Sequence, residues 1–74
     1  MITPGKYRHF KGKEYEVIGI ASHSETLESM VVYRALYGGR ELWVRPLSMW
    51  EETVMYHGVA VLRFSKISDH SEEL

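Results

Sequence analysis

Residues 30–45 read MVVYRALYGGRELWVR, and this stretch decides the fold class. Two strand-like runs, 30–37 and 40–45, flank the pair Gly38–Gly39. Two such runs separated by two glycines signal a β-hairpin. With a two-residue turn Tyr37 faces Arg40, and pairing continues as Leu36 with Glu41, Ala35 with Leu42, Arg34 with Trp43, Tyr33 with Val44 and Val32 with Arg45. Side chains alternate along a strand. One face of the hairpin therefore carries Val31, Tyr33, Ala35, Leu42 and Val44 and is expected to enter the core. The other carries Arg34, Trp43 and Arg45, a mixed surface free to meet a partner.

The neighbouring segments extend the same pattern. Upstream, Lys6 to Phe10 reads as a short strand, Lys11-Gly12-Lys13 as a turn, and Glu14 to Ala21 (EYEVIGIA) as a second strand. Both faces of that strand become apolar around Gly19, as a β-bulge or sharp bend would require. The polar stretch 22–29, SHSETLES, is a loop. Downstream, Pro46 ends the hairpin because it cannot donate to a ladder. LSMWEE (47–52) is a turn or one short helix, with Trp50 as a lid over the barrel end. Thr53 to Tyr56 and Val59 to Phe64 flank His57–Gly58, a second tight-turn signal. Five or six short antiparallel strands with hardly any helix predict an all-β fold, a small and partly open SH3-like barrel. It occupies residues 1–66, followed by a flexible acidic tail over 67–74.

Composition bounds the function classes. A chain of 74 residues is one domain and buries only about 60% of its unfolded surface. It has no cysteine, which removes disulfides and thiolate metal sites and fits the cytoplasm. Nine aromatics, two Trp, five Tyr and two Phe, supply packing instead. The formal net charge of −1 gives no general electrostatic footprint for nucleic acid. Charge is nevertheless uneven: Lys6, Arg8, Lys11 and Lys13 lie in the first thirteen residues without an acid, and Asp69, Glu72 and Glu73 lie in the last six without a Lys or Arg. No apolar run approaches the roughly 20 residues that span a bilayer.

Four constellations could carry chemistry. The outer hairpin face, Arg34, Trp43 and Arg45, suits peptide, nucleobase or phosphate contacts; its simpler reading is a self-contained cross-strand cluster. The basic aromatic hairpin 6–13, with Arg8 and Lys11, suits single-stranded nucleic acid; its simpler reading is core aromatics with solvated charges. The loop His23-Ser24-Glu25-Thr26 groups a histidine, hydroxyls and a carboxylate. Adjacent loop residues seldom reach the geometry of a catalytic triad, however, and a loop that satisfies its own backbone explains them equally well. The four histidines, His9, His23, His57 and His70, lack metal-ligand spacing.

Several of these segments, GKYRHFKGKEYEVIGIA (5–21), HSETLE (23–28), VVYRALYG (31–38) and ELWVRPLSMW (41–50), together resemble a small bacterial family known as domain of unknown function 1653, over about residues 5–64. The resemblance implies a stand-alone, largely β domain of SH3-like type and supplies no activity. Members often carry an acid before the glycine of the last hairpin. Here His57 takes that place, so no role of that acid transfers to this chain. Met55, Ala60 and Leu62 make this hairpin more apolar than the family pattern implies, which fits either an interface or simple drift.

The expectation from these readings is a cytoplasmic binding or adaptor module that recognises a protein or peptide through Arg34, Trp43 and Arg45, with no enzyme activity, cofactor or metal. The alternatives are RNA or single-stranded nucleic acid on hairpin 6–13, and a small-molecule or metal-dependent site at His23 to Thr26. The chain is expected as a monomer or weak homodimer, the latter through the apolar hairpin Tyr56 to Leu62.

Overall fold

The computed structural model describes residues 2–69 of the chain. Among these described residues, seven strands and one short helix follow in the order β1 (Gly5–His9), β2 (Glu14–Ser22), β3 (Ser29–Ala35), β4 (Leu42–Pro46), α1 (Leu47–Trp50), β5 (Thr53–Tyr56), β6 (Val59–Leu62) and β7 (Phe64–Ser68). Five strands form an antiparallel sheet in the order β4-β3-β2-β1-β7, and β5 and β6 form a separate hairpin. The fold is thus mostly β. Among the described residues no helix is long and apolar enough to cross a membrane.

One face of the sheet carries the core, and alternation explains its membership. Tyr7 faces Tyr15 across β1–β2, Val17 faces Tyr33 across β2–β3, and His9 faces Phe64 across β1–β7. Tyr7, Val17, Val31, Tyr33, Ala35 and Phe64 are buried. Pairing between β2 and β3 shifts by one residue between Val17 and Gly19, the bulge expected there. The opposite face is a charge ladder. Glu16 sits opposite Lys6 on one side and Arg34 on the other, and Arg8 donates to Glu14 at 2.8 Å.

Helix α1 is too short to be stable alone. It is held by Trp50, which is only 2% exposed. The indole stacks on Phe64 with ring centroids 3.7 Å apart and planes within 2°, and it meets Tyr33 edge-on at 4.9 Å. Trp50 is therefore central to the core. At the far turn, His57 and Gly58 both adopt positive φ and Tyr56 faces Val59, as a type I′ turn demands.

The β3–β4 register corrects the sequence reading. Val32 faces Val44, Tyr33 faces Trp43 and Arg34 faces Leu42, one residue out of step with the expected pairing of Arg34 with Trp43. The turn is longer than two residues. The Ala35 amide donates to the Glu41 carbonyl, the Arg40 amide donates to the Tyr37 carbonyl, and Arg40 itself takes φ +54°. A slip of one flips the side chains of a strand to the other face. Trp43 and Arg45 therefore share the core-side face with Tyr33, while Leu42 and Val44, expected in the core, are exposed on the other.

The C-terminal segment also differs. The expected strand Val59 to Phe64 ends at Leu62, and Phe64–Ser68 is a separate strand that joins the sheet beside β1. Strand β7 thus runs two residues past Lys66, into the segment read as tail. Residues 70–74 of that tail lie outside the described residues.

Candidate functional site

The structure keeps two of the three residues of the first constellation together. Trp43 and Arg45 are two apart on β4 and point to the same face; Arg34 points to the other. Arg34 instead donates from its guanidinium to the Arg40 carbonyl at 3.1 Å, which braces the turn whose length sets the register.

Trp43 is 49% exposed, a large apolar surface left open on the core side of the sheet. Beside it, Arg45 is half-buried. Its guanidinium lies over Phe64, 5.6 Å from the ring centroid, a favourable cation–π placement. Arg45 Nε is enclosed and has no hydrogen-bond partner, and no ion pair joins Arg45 to a carboxylate among the described residues. An enclosed donor without an acceptor costs about 1–3 kcal/mol. Arg63 carries a second enclosed Nε, although its outer nitrogen donates to Glu52 at 3.0 Å.

His9 registers the resulting field. It packs edge-on against Phe64 at 5.1 Å. Burial, and then the charges of Arg63, Arg45 and Lys11, hold its pKa below the ordinary histidine value. Arg45, Arg63 and Lys11 thus set positive charge around His9 on this side of the core. Its rim is aromatic: the Tyr15 and Tyr37 hydroxyls share a 2.8 Å hydrogen bond, and Lys13 Nζ lies 4.4 Å from the Tyr37 ring centroid. Burial first, and then the bond to Tyr37, raise the Tyr15 pKa above the usual tyrosine value.

Other expected sites are engaged within the protein. In hairpin 6–13, Arg8 is paired with Glu14, while Lys11 sits 5.8 Å from the Phe10 centroid. In the 23–28 loop, His23 Nδ1 accepts from the amides of Glu25 and Thr26 at 3.1 and 3.4 Å, and Thr26 Oγ1 accepts from the Glu28 amide at 3.2 Å. The His23 amide donates to the Glu28 carbonyl, and Leu27 closes the turn at φ +65°. His23 is thus an organiser of its own loop, and the Glu25 contact uses its backbone. No group of three metal-ligating side chains is found among the described residues. The β5–β6 hairpin exposes Met55, Tyr56, Val59 and Leu62.

Sequence reasoning missed the part played by His9, Arg63 and Phe64 in this site. The one available signal was the run Arg63-Phe64, a cation beside an aromatic in a segment read as a strand end.

The comparisons with other proteins agree with this architecture. No curated protein matches the chain. A crystal structure of a protein from Bordetella bronchiseptica belonging to DUF1653 is similar, with 38% sequence identity and a TM-score of 0.86 over 97% of this chain and 95% of that one. The family model described as "Protein of unknown function (DUF1653)" matches residues 5–66, and the chain belongs to that family.

Proposed function

We propose that this domain is a protein-binding module whose recognition surface is the β4 side of the sheet, centred on Trp43 and Arg45. The observation that carries the reading is the half-buried Arg45, with no ion pair to a carboxylate among the described residues, next to a half-exposed tryptophan. Trp and Arg at the centre of a surface are the residue types that anchor protein partners. A carboxylate brought by a partner would meet the Arg45 guanidinium in a partly desolvated setting, where charge-assisted hydrogen bonds are strong. The ligand is an extended protein segment bearing an acidic side chain. Arg34 contributes indirectly, through the turn it braces.

The fold we infer behind this surface is a partly open barrel of the SH3-like type. The bend at the Gly19 bulge and the β5–β6 hairpin beyond the five-stranded sheet support it. Nucleic-acid binding at hairpin 6–13 has less support, because Arg8 is paired with Glu14.

The test is a titration of isotope-labelled protein with extended acidic peptides, read by amide and indole shifts. Saturable shifts at the Trp43 indole and along β4, lost in Arg45→Gln, are expected. Shifts confined to residues 6–13 with single-stranded RNA, weakening as salt rises, would refute the reading, as would silence at β4 with every peptide.

A further inference from the structure

We propose that the extended segment recognised at β4 is residues 41–45 of a second copy of this chain, with Glu41 as its acidic side chain, so that two domains join edge to edge around Trp43. The proposal rests on the binding surface assigned above and names its partner.

Strand β4 is a sheet edge, with β3 as its neighbour and no strand beyond it among the described residues. The Ala35 amide bonds the Glu41 carbonyl, and those residues continue the β3–β4 register. Antiparallel pairs alternate between bonded and non-bonded. The backbone groups of Trp43 and Arg45 are therefore turned toward β3, and those of Leu42, Val44 and Pro46 outward. Pro46 fits this phase, since its missing N–H falls on the outward side. The N–H and C=O groups of Leu42 and Val44 are left as a template. Natural edges are usually blunted by charge or bulges. This one instead shows Leu42, Trp43 and Val44, at 54%, 49% and 61% exposure.

The sequence of β4 selects a second copy as the occupant. A two-fold axis at Trp43 places Leu42 opposite Val44 of the second copy, and both backbones then exchange their outward hydrogen bonds. Trp43 meets Trp43 of the second copy at a non-bonded pair, where cross-strand side chains come closest. Glu41, exposed and on the same face, falls opposite Arg45 of the second copy. That carboxylate meets the Arg45 guanidinium, which has no ion pair to a carboxylate among the described residues, and symmetry makes the contact twice. The neighbouring registers are worse. Sliding one way sets Leu42 against Pro46, which has no N–H to give. Sliding the other way sets Val44 against Arg40, whose φ of +54° is not that of a strand. Pairing confined to residues 41–45 is short, so the association belongs to the weak, concentration-dependent class.

Sedimentation of the full chain from roughly 10 μM to 1 mM tests this, a span wide enough to reveal weak association, together with hydrogen exchange at the Leu42 and Val44 amides. The expected result is a monomer–dimer equilibrium with those two amides protected as dimer forms. Val44→Pro removes an outward donor that β3 does not use, and should abolish dimer while near-ultraviolet dichroism stays native. Glu41→Arg should weaken association about tenfold, and the charge swap Glu41→Arg with Arg45→Glu should restore it. Val59→Glu, on the separate hairpin, should change nothing. A chain monomeric throughout overturns the proposal; if acidic peptide still shifts Arg45, the binding-module reading survives without it. A dimer indifferent to Val44→Pro, or broken by Val59→Glu, also overturns it.

Discussion

Replacing Trp50 with alanine probes the core most directly. The indole is 2% exposed, stacks on Phe64 at 3.7 Å and touches Tyr7 and Tyr33 edge-on at 5.6 and 4.9 Å. Truncating a buried tryptophan costs about 3–5 kcal/mol, because transfer energy is lost and the space left behind relaxes only in part. Lost aromatic pairing adds to the upper end of that range. A domain of this length has a total stability of roughly 4–11 kcal/mol, so Trp50→Ala should remove about a quarter of it or more. Urea denaturation followed by far-ultraviolet dichroism measures the loss, and the remaining Trp43 reports native structure by fluorescence. Trp43→Ala is the reference, because a half-exposed side chain should cost no more than about 1 kcal/mol. A Trp50→Ala cost below about 1 kcal/mol, or one equalled by Trp43→Ala, would refute the assignment of Trp50 as the hub of the core.

Two further outcomes follow from the same geometry. His9 has a folded pKa below its unfolded value, so the unfolded chain binds the extra proton first. Stability attributable to His9 is complete above about pH 6.5, the unperturbed histidine value, and falls as acid carries the pH below it toward the folded pKa. Urea midpoints across that window should drop for the native chain and flatten in His9→Gln. Gly5 has φ +141°, and a Cβ there would lie 2.5 Å from the Ser68 carbonyl oxygen. Gly5→Ala should therefore cost roughly 1–3 kcal/mol and loosen the β1–β7 pairing, seen as faster exchange of the β7 amides.

The sequence made the strands legible wherever turn chemistry and alternation agreed. His57–Gly58 reads as a two-residue turn and is one, with both residues at positive φ. The bulge at Gly19 follows from a strand whose two faces both turn apolar. Gly38–Gly39 offered the same turn signal and gave a longer loop, because Arg40 also takes a left-handed conformation, which a non-glycine residue adopts without advertising it. Leu42-Trp43-Val44 could not correct the error, since either alternation puts an apolar side chain inward. The candidate site inherited that slip, so Trp43 and Arg45 were found together and Arg34 was misplaced. Strand β7 escaped notice because Ser65, Lys66 and Ser68 carry little apolar pattern; Phe64 and the backbone pairing to β1 hold it. The cluster around Arg45 was hidden for the same reason, since Phe64 and His9 meet only once β7 lies beside β1.

The placement of β1 beside β7 has a mechanical consequence. The strands run antiparallel, with Lys6 at the start of one facing Ser68 at the end of the other. A load applied through both ends of the domain therefore enters the ladder at a single rung. It opens the rungs one after another, like a zipper, and does not shear them together. The Lys6–Ser68 pair takes the force first, followed by the irregularity between Lys6 and Tyr7. Held by its two ends, the domain gives way at low tension, and Phe64, paired with His9 at the far end of the ladder, is drawn out of the core only after the rungs before it have parted.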